Sequence, residues 1–164
     1  MPRRSSPASE SDAEAMVSAL LTASRLLVAV SARSLAAVEE SLTLPQFRML
    51  VVLDGRGPLS LSGLAAELAV QPSTAMRMID RLVAAGTVAR GVSAEDRRTS
   101  VISLTKDGRR IVREATDRRR QEIARIVEAM PPGQRRHLID ALQAFTEAGG
   151  EPAAPNGLQA HANW

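Results

Sequence analysis

A mainly α fold carrying one small β-ribbon is what this sequence predicts, and three observations carry that prediction. Apolar residues recur at spacings of three and four through most of residues 12–148, the period of one face of a helix. Two short β-branched runs, at residues 88–92 and 101–105, interrupt that spacing and are joined by Ser93-Ala94-Glu95-Asp96-Arg97-Arg98-Thr99, longer than a minimal hairpin turn. Phe47, Phe145 and Trp164 are the only aromatic residues, so Leu, Val, Ile, Ala and Met must make the core, and helices pack that set well.

The elements follow in order. Residues 1–11 are polar with two prolines and are expected to be a disordered tail. From Asp12, a reasonable N-cap, to about residue 40, Met16, Val17, Leu20, Leu21, Leu27, Val28, Leu35 and Val38 keep helical spacing without a Pro or Gly. A helix of ~29 residues is ~43 Å long, more than this chain's own core needs, so its apolar stripe wants a partner, either within the chain or in a second subunit. Thr43 is the candidate N-cap of the next helix, with Pro45 in its first turn and Phe47, Leu50, Val51 and Leu53 inward; Gly55-Arg56-Gly57-Pro58 ends it.

Ser60 caps a short helix with Leu61, Leu64, Ala65 and Leu68 inward, and Val70-Gln71-Pro72 is the turn after it. A second helix spans about 72–85 and stops at Gly86, with Ala75, Met78, Ile79, Leu82 and Val83 buried and Ser73, Thr74, Arg77 and Arg81 on the other side. The ribbon comes next, with Ile102 and Leu104 sharing one face of its second strand. Thr105 caps a long helix over about 106–130, whose stripe is Ile111, Val112, Ala115, Ile123, Ile126, Val127 and Met130. Pro131-Pro132-Gly133 breaks it, and a last helix over about 134–148 turns Leu138, Leu142 and Phe145 inward. Residues 149–164 have no periodicity and are expected to be a second disordered tail.

At 164 residues the chain is one domain's worth and can bury most of its apolar surface without staples. It has no cysteine, which excludes disulfides, thiolate metal sites and cysteine redox sensing. Two histidines, His137 and His161, make an imidazole metal site improbable, and no cofactor is expected. No apolar run approaches the roughly 20 residues that span a bilayer, and no signal peptide follows Arg3 and Arg4, so a soluble cytoplasmic protein with no membrane partner is expected. The net charge of +3 hides an uneven distribution. Residues 1–60 are neutral and residues 126–164 carry −2, whereas residues 61–125 hold thirteen Lys and Arg against eight acidic groups. That excess lies where a DNA footprint would be.

The stretch 60–107 therefore has the order of a winged helix-turn-helix: short helix, turn, second helix, ribbon with an Asp96-Arg97-Arg98 tip. The second helix of such a pair fits the major groove. Ser73, Thr74 and Arg77 near its N-terminal end suit base or phosphate contacts, and Arg77 suits guanine or phosphate equally; the plain alternative is a solvated helix face. A tip with adjacent arginines suits the narrow, electronegative minor groove, against the alternative of a surface loop in which Glu95 and Asp96 neutralise Arg97 and Arg98. An enzyme is not expected, since there is no nucleophile–base pair, phosphate loop or metal-ligand cluster. The rival class, a winged protein–protein module without DNA binding, needs an apolar or acidic second helix, and Ser73, Thr74, Arg77 and Arg81 argue against it.

The stretch 44–108 resembles the MarR family of bacterial winged-helix regulators. Leu44-Pro45-Gln46-Phe47, Leu64-Ala65-Ala66-Glu67-Leu68, the run from Ser73 to Leu82, Gly86-Thr87-Val88-Ala89-Arg90, Asp96-Arg97-Arg98 and Leu104-Thr105-Lys106-Asp107-Gly108 follow in the family's order. The flanking helices extend the resemblance to about 12–148. It implies a single domain over those residues, with dimerisation helices at about 12–41 and 109–148 around the winged segment 44–108. It also implies a homodimer reading a pseudo-palindromic operator, most simply a repressor released by a small ligand. By matching position, Arg98 is implied as the minor-groove arginine, Asp96 as its brace, Arg97 as a phosphate contact, and Arg77 as a contact of the recognition helix, beside Ser73, Thr74 and Arg81. Other members bind phenolic or aromatic carboxylate effectors in a cleft beside the dimer helices. Here Leu26, Leu27, Val30, Phe47, Leu50 and Val51 with Arg25 or Arg48 are candidates for such a cleft, and ordinary core packing is the favoured reading of the apolar ones.

Overall fold

The structure, a computed structural model, describes residues 7–92 and 100–150. Six helices and a two-stranded ribbon are seen among them: α1 (Pro7–Ala36), α2 (Leu44–Arg56), α3 (Leu61–Glu67), α4 (Pro72–Ala84), β1 (Val88–Val92), β2 (Ser100–Leu104), α5 (Lys106–Ala129) and α6 (Pro132–Ala148). The mainly α winged helix-turn-helix fold read from the sequence is the fold observed.

Side-chain caps set most helix starts. Thr43 and Gln46 form a reciprocal capping box at α2, the Thr43 amide donating to Gln46 Oε1 at 2.9 Å. Ser60 Oγ accepts from the Gly63 amide at 3.1 Å, and Thr105 Oγ1 accepts from the Gly108 amide at 3.1 Å. The helix α1 begins at Pro7, not Asp12: proline suits a first turn, and extending an existing helix is far easier than nucleating one, so the polar composition of 7–11 does not stop it. It ends at Ala36, short of residue 40, because the amides of Val38 and Glu39 both turn back to the Leu35 carbonyl and bring Leu42 into the core.

The core lies between α2, α3, α4, the ribbon and the first half of α5. Phe47, Leu50, Leu64, Ile79, Leu82, Ile111 and Val112 are fully buried there. Both helices of the helix-turn-helix end in the same way. The Val70 amide reaches Ala65 O and the Ala69 amide reaches Ala66 O; the Thr87 amide reaches Leu82 O and the Gly86 amide reaches Val83 O. These are Schellman turns, and the residue each needs at positive φ is Ala69 (53°) and Gly86 (72°). The strands are antiparallel, with Val88 opposite Leu104 and Arg90 opposite Ile102. Leu59 exchanges two backbone bonds with Ile102 and ties β2 to the α2–α3 connection.

Outside this core the helices are bare. α6 buries no residue: Leu138 is exposed, and Leu142 and Phe145 stay exposed although they line a cavity, contrary to the expected inward stripe, because among the described residues nothing packs onto them closely enough to bury them. Among the α1 residues from 11 onward, only the last turns, through Val30, Ser31, Ser34 and Leu35, are buried, while Met16, Val17, Leu21, Leu26, Leu27 and Val28 are exposed. The stretch Ser11–Ala36 is by length and composition apolar enough to cross a membrane. This corrects the expectation that no segment approaches a bilayer span: Arg25 and Arg33 interrupt the run, but the Leu, Val and Ala around them keep its mean hydropathy high.

Candidate nucleic-acid interface

An amphipathic 13-residue helix buries one stripe and must present the other. On α4, Ala75, Ile79 and Leu82 are buried against the core. Ser73, Met76, Arg77, Asp80, Arg81 and Ala84 are exposed, and Thr74 is half-buried. At 100° per residue, Ser73, Arg77, Asp80 and Ala84 lie along one outward line, flanked by Thr74 and Arg81 on one side and Met76 on the other. The structure thus brings all four of the sequence-predicted α4 residues to the open face. Arg77 Nη2 lies 3.5 Å from Thr74 Oγ1, one turn back. One apolar residue departs from expectation: Val83 is exposed, at the edge of the stripe. Met78 is half-buried, packed against the core and also lining a cavity.

The ribbon stands beside α4. Residues directly paired across an antiparallel ladder share a face, so Arg90 lies on the same side as its partner Ile102 and as Val88, both buried. Beyond the edge of the core its guanidinium meets the Asp80 carboxylate of α4 in an ion pair. Sequence reasoning gave neither Asp80 nor Arg90 a role; the period-2 rule applied to Val88 and Arg90 was the signal that pointed inward. Asp96, Arg97 and Arg98 lie outside the described residues, between the ends of β1 at Val92 and β2 at Ser100.

A cavity of about 1000 Å³ opens between α1, the start of α2, the α3–α4 turn, α5 and α6. Its wall is largely apolar, from Leu20, Leu21, Leu27, Val28, Leu44, Leu68, Val70, Met78, Leu142 and Phe145, with Arg48 and Arg119 as its two cationic residues. Of the residues expected in a ligand cleft, Leu27 and Arg48 line it. Phe47, Leu50 and Val51 are core, as the favoured reading had it, and so is Val30 by burial. Leu26 does not line the cavity, and Arg25 points along α1 to Thr22 Oγ1 at 3.1 Å. Arg119 escaped the sequence reading, although its place four residues after Ala115 and seven after Val112 puts it on the buried stripe of α5. It is half-buried, and that burial pushes its guanidinium below the usual arginine range. Among the described residues no cluster of His, Cys, Asp or Glu is arranged to hold a metal ion.

Comparison with known proteins places these features. A sequence profile of the MarR family matches residues 42–100, from the end of the α1–α2 connection to the start of β2. The crystal structure of RV1404 from Mycobacterium tuberculosis is similar over 92% of this chain and 99% of that one, at 51% identity and a TM-score of 0.79. The HTH-type transcriptional regulator YfiV of Bacillus subtilis is 28% identical over 107 residues, 65% of this chain and 67% of that protein. FabT of Streptococcus pneumoniae, solved in complex with DNA, shares the fold over 84% of this chain and 96% of its own, with a TM-score of 0.70 at 19% identity.

Proposed function

The chain belongs to the MarR family of transcriptional regulators, and from that premise we propose that it is a homodimer that reads a pseudo-palindromic DNA site and represses until a small ligand releases it. The observation that carries the DNA-reading part is the outward line of α4. Ser73 and Arg77 stand on it with Thr74 and Arg81 beside it, on a helix whose other face is locked into the core. Such a helix offers hydroxyls and guanidinium groups to a major groove without disturbing its own packing. In this reading Arg97 and Arg98 at the ribbon tip take the neighbouring phosphates and minor groove, and Asp96 braces Arg98. FabT, which shares the fold, is solved bound to DNA.

The bare faces of α1 and α6 support the dimer. A soluble domain seldom leaves this many large apolar residues uncovered, and a second copy related by a two-fold axis covers them with the same residues. The cavity supports a small apolar anion as effector, with Arg48 and Arg119 for its charge. Met78 joins that cavity to the inner side of α4, so a bound molecule would touch the DNA-reading helix directly. A ligand that prefers the non-binding spacing of the two α4 helices then releases the operator by population shift. Gel shift of the DNA flanking the gene, begun at low salt where phosphate contacts are strongest, tests the reading. A retarded band that specific competitor removes is expected; no binding at low salt overturns it.

A further inference from the structure

Asp80 stands on the outward line of α4, between Arg77 and Ala84, where a carboxylate would face the phosphates that this helix is proposed to approach. Left alone, a negative charge there opposes association with a polyanion. It is not left alone, because Arg90 of β1 pairs with it. The pair crosses the Gly86 turn and joins the two elements assigned to different grooves. Both side chains are about half exposed, so an ion pair here adds little to the stability of the fold. What it supplies is orientation. The ribbon is only two strands wide; Val88 and Leu104 anchor its base, Leu59 holds its β2 edge at Ile102, and Arg90, on that same rung, ties its β1 edge to α4. The Asp80–Arg90 contact is the one ion pair among the described residues that fixes the ribbon against α4.

We propose that Asp80 is a positioning residue for DNA recognition: by holding Arg90 it sets the angle of the ribbon against α4, so that tip and helix meet two grooves at a fixed spacing. The proposal rests on the DNA-reading assignment of α4. A ribbon set before binding loses less freedom on binding, and a site that needs both grooves at once gains most from that order. Simple electrostatics and this clamp predict opposite signs for Asp80→Asn. Removing a carboxylate strengthens contact with any DNA, whereas releasing the ribbon weakens contact with the cognate site.

The test uses two duplexes of equal length, one enriched by the wild-type protein from a random-sequence pool and one of poly(dI-dC), titrated by fluorescence anisotropy. Asp80→Asn is expected to bind the enriched duplex about tenfold more weakly, in the range of coupling between contacting groups. It should bind poly(dI-dC) as well as or better than wild type, with an unchanged thermal midpoint. Asp80→Glu should recover part of the loss, and Arg90→Lys should bind better than Arg90→Gln. Asp80→Asn that holds the enriched duplex as tightly as wild type overturns the clamp, and so does an equal loss on both duplexes. A wild-type protein that enriches no duplex overturns the DNA-reading assignment instead.

Discussion

Gly108 lies against the backbone of Thr87 so closely that a methyl group on its Cα would stand 2.1 Å from the Thr87 carbonyl oxygen. Around that contact several bonds converge. The Thr105 amide donates to Thr87 O at 3.1 Å, Thr105 Oγ1 donates to Gly86 O at 2.8 Å, and the buried Thr87 hydroxyl donates to Leu82 O at 3.1 Å. The end of α4, the root of the ribbon and the first turn of α5 are therefore one knot. α5 runs on to pack against α1, where Arg33 pairs with Glu122, so this knot joins the long helices to α4.

Gly108→Ala should therefore cost about 3 kcal/mol, at the upper end of overpacking, since the obstructing atom is backbone and cannot swing aside. Urea denaturation followed by far-UV circular dichroism measures it. Gly133→Ala, whose added carbon meets nothing within 4 Å, is the control and should not lower the midpoint. A Gly108→Ala protein with a wild-type midpoint would show that the knot is loose.

The two Schellman turns predict opposite signs for exchange of the same two residues. Ala69 holds φ at 53° and bears the strain of a Cβ in the left-handed region, about 1 kcal/mol. Part of the relief in Ala69→Gly is offset by glycine's greater freedom when unfolded, so a net gain of about 0.5 kcal/mol is expected. Gly86→Ala, at φ 72° with open space around it, should lose about 1 kcal/mol for the same reason. Thermal midpoints that move in the same direction for both would refute this account.

How far the sequence reached follows from what each residue answers to. Thr43, Ser60 and Thr105 are local signals, a hydroxyl three residues before the amide it caps, and they were legible. The four α4 residues were legible too, because period and polarity agree there. Val83 and the α6 stripe were not, since periodicity says that a face is apolar without saying what covers it. Phe47 is core, as the favoured reading had it, whereas Arg119, given no role in the sequence reading, lines the cavity. That placement depends on how α1, α2 and α6 stand around α5, a long-range fact that no local pattern carries. The Asp80–Arg90 pair spans ten residues and two elements, and needs the ribbon's register before it can be seen.

Arg98→Ala tests the ribbon tip. If Arg98 enters the minor groove, DNA affinity should fall, and the slope of log affinity against log salt should flatten by about one, as for one lost phosphate-range cation. Arg97→Ala should flatten the slope similarly with less loss of discrimination between sites, because a phosphate contact carries no sequence information. Anisotropy titrations at several salt concentrations read both. Unchanged binding by Arg98→Ala refutes its assignment.

Ile139→Asp tests the dimer. Ile139 is 56% exposed on α6 and does not line the cavity, so a carboxylate there touches neither the core nor the effector site. The variant chain should fold with full helical content, since in a single chain the new charge faces water. In a dimer built on α1 and α6 the same charge would be buried without a partner, which costs more than the apolar contact it replaces contributed. Light scattering should then find one chain per particle where the wild type has two. A monomer also forfeits the avidity of two linked readers, so affinity for a two-fold site should drop by a hundredfold or more, on the order expected from effective concentration. Affinity for a half-site should be unchanged. A variant that stays dimeric moves the interface off α6, and a monomer with wild-type affinity for the full site removes the need for two copies on DNA.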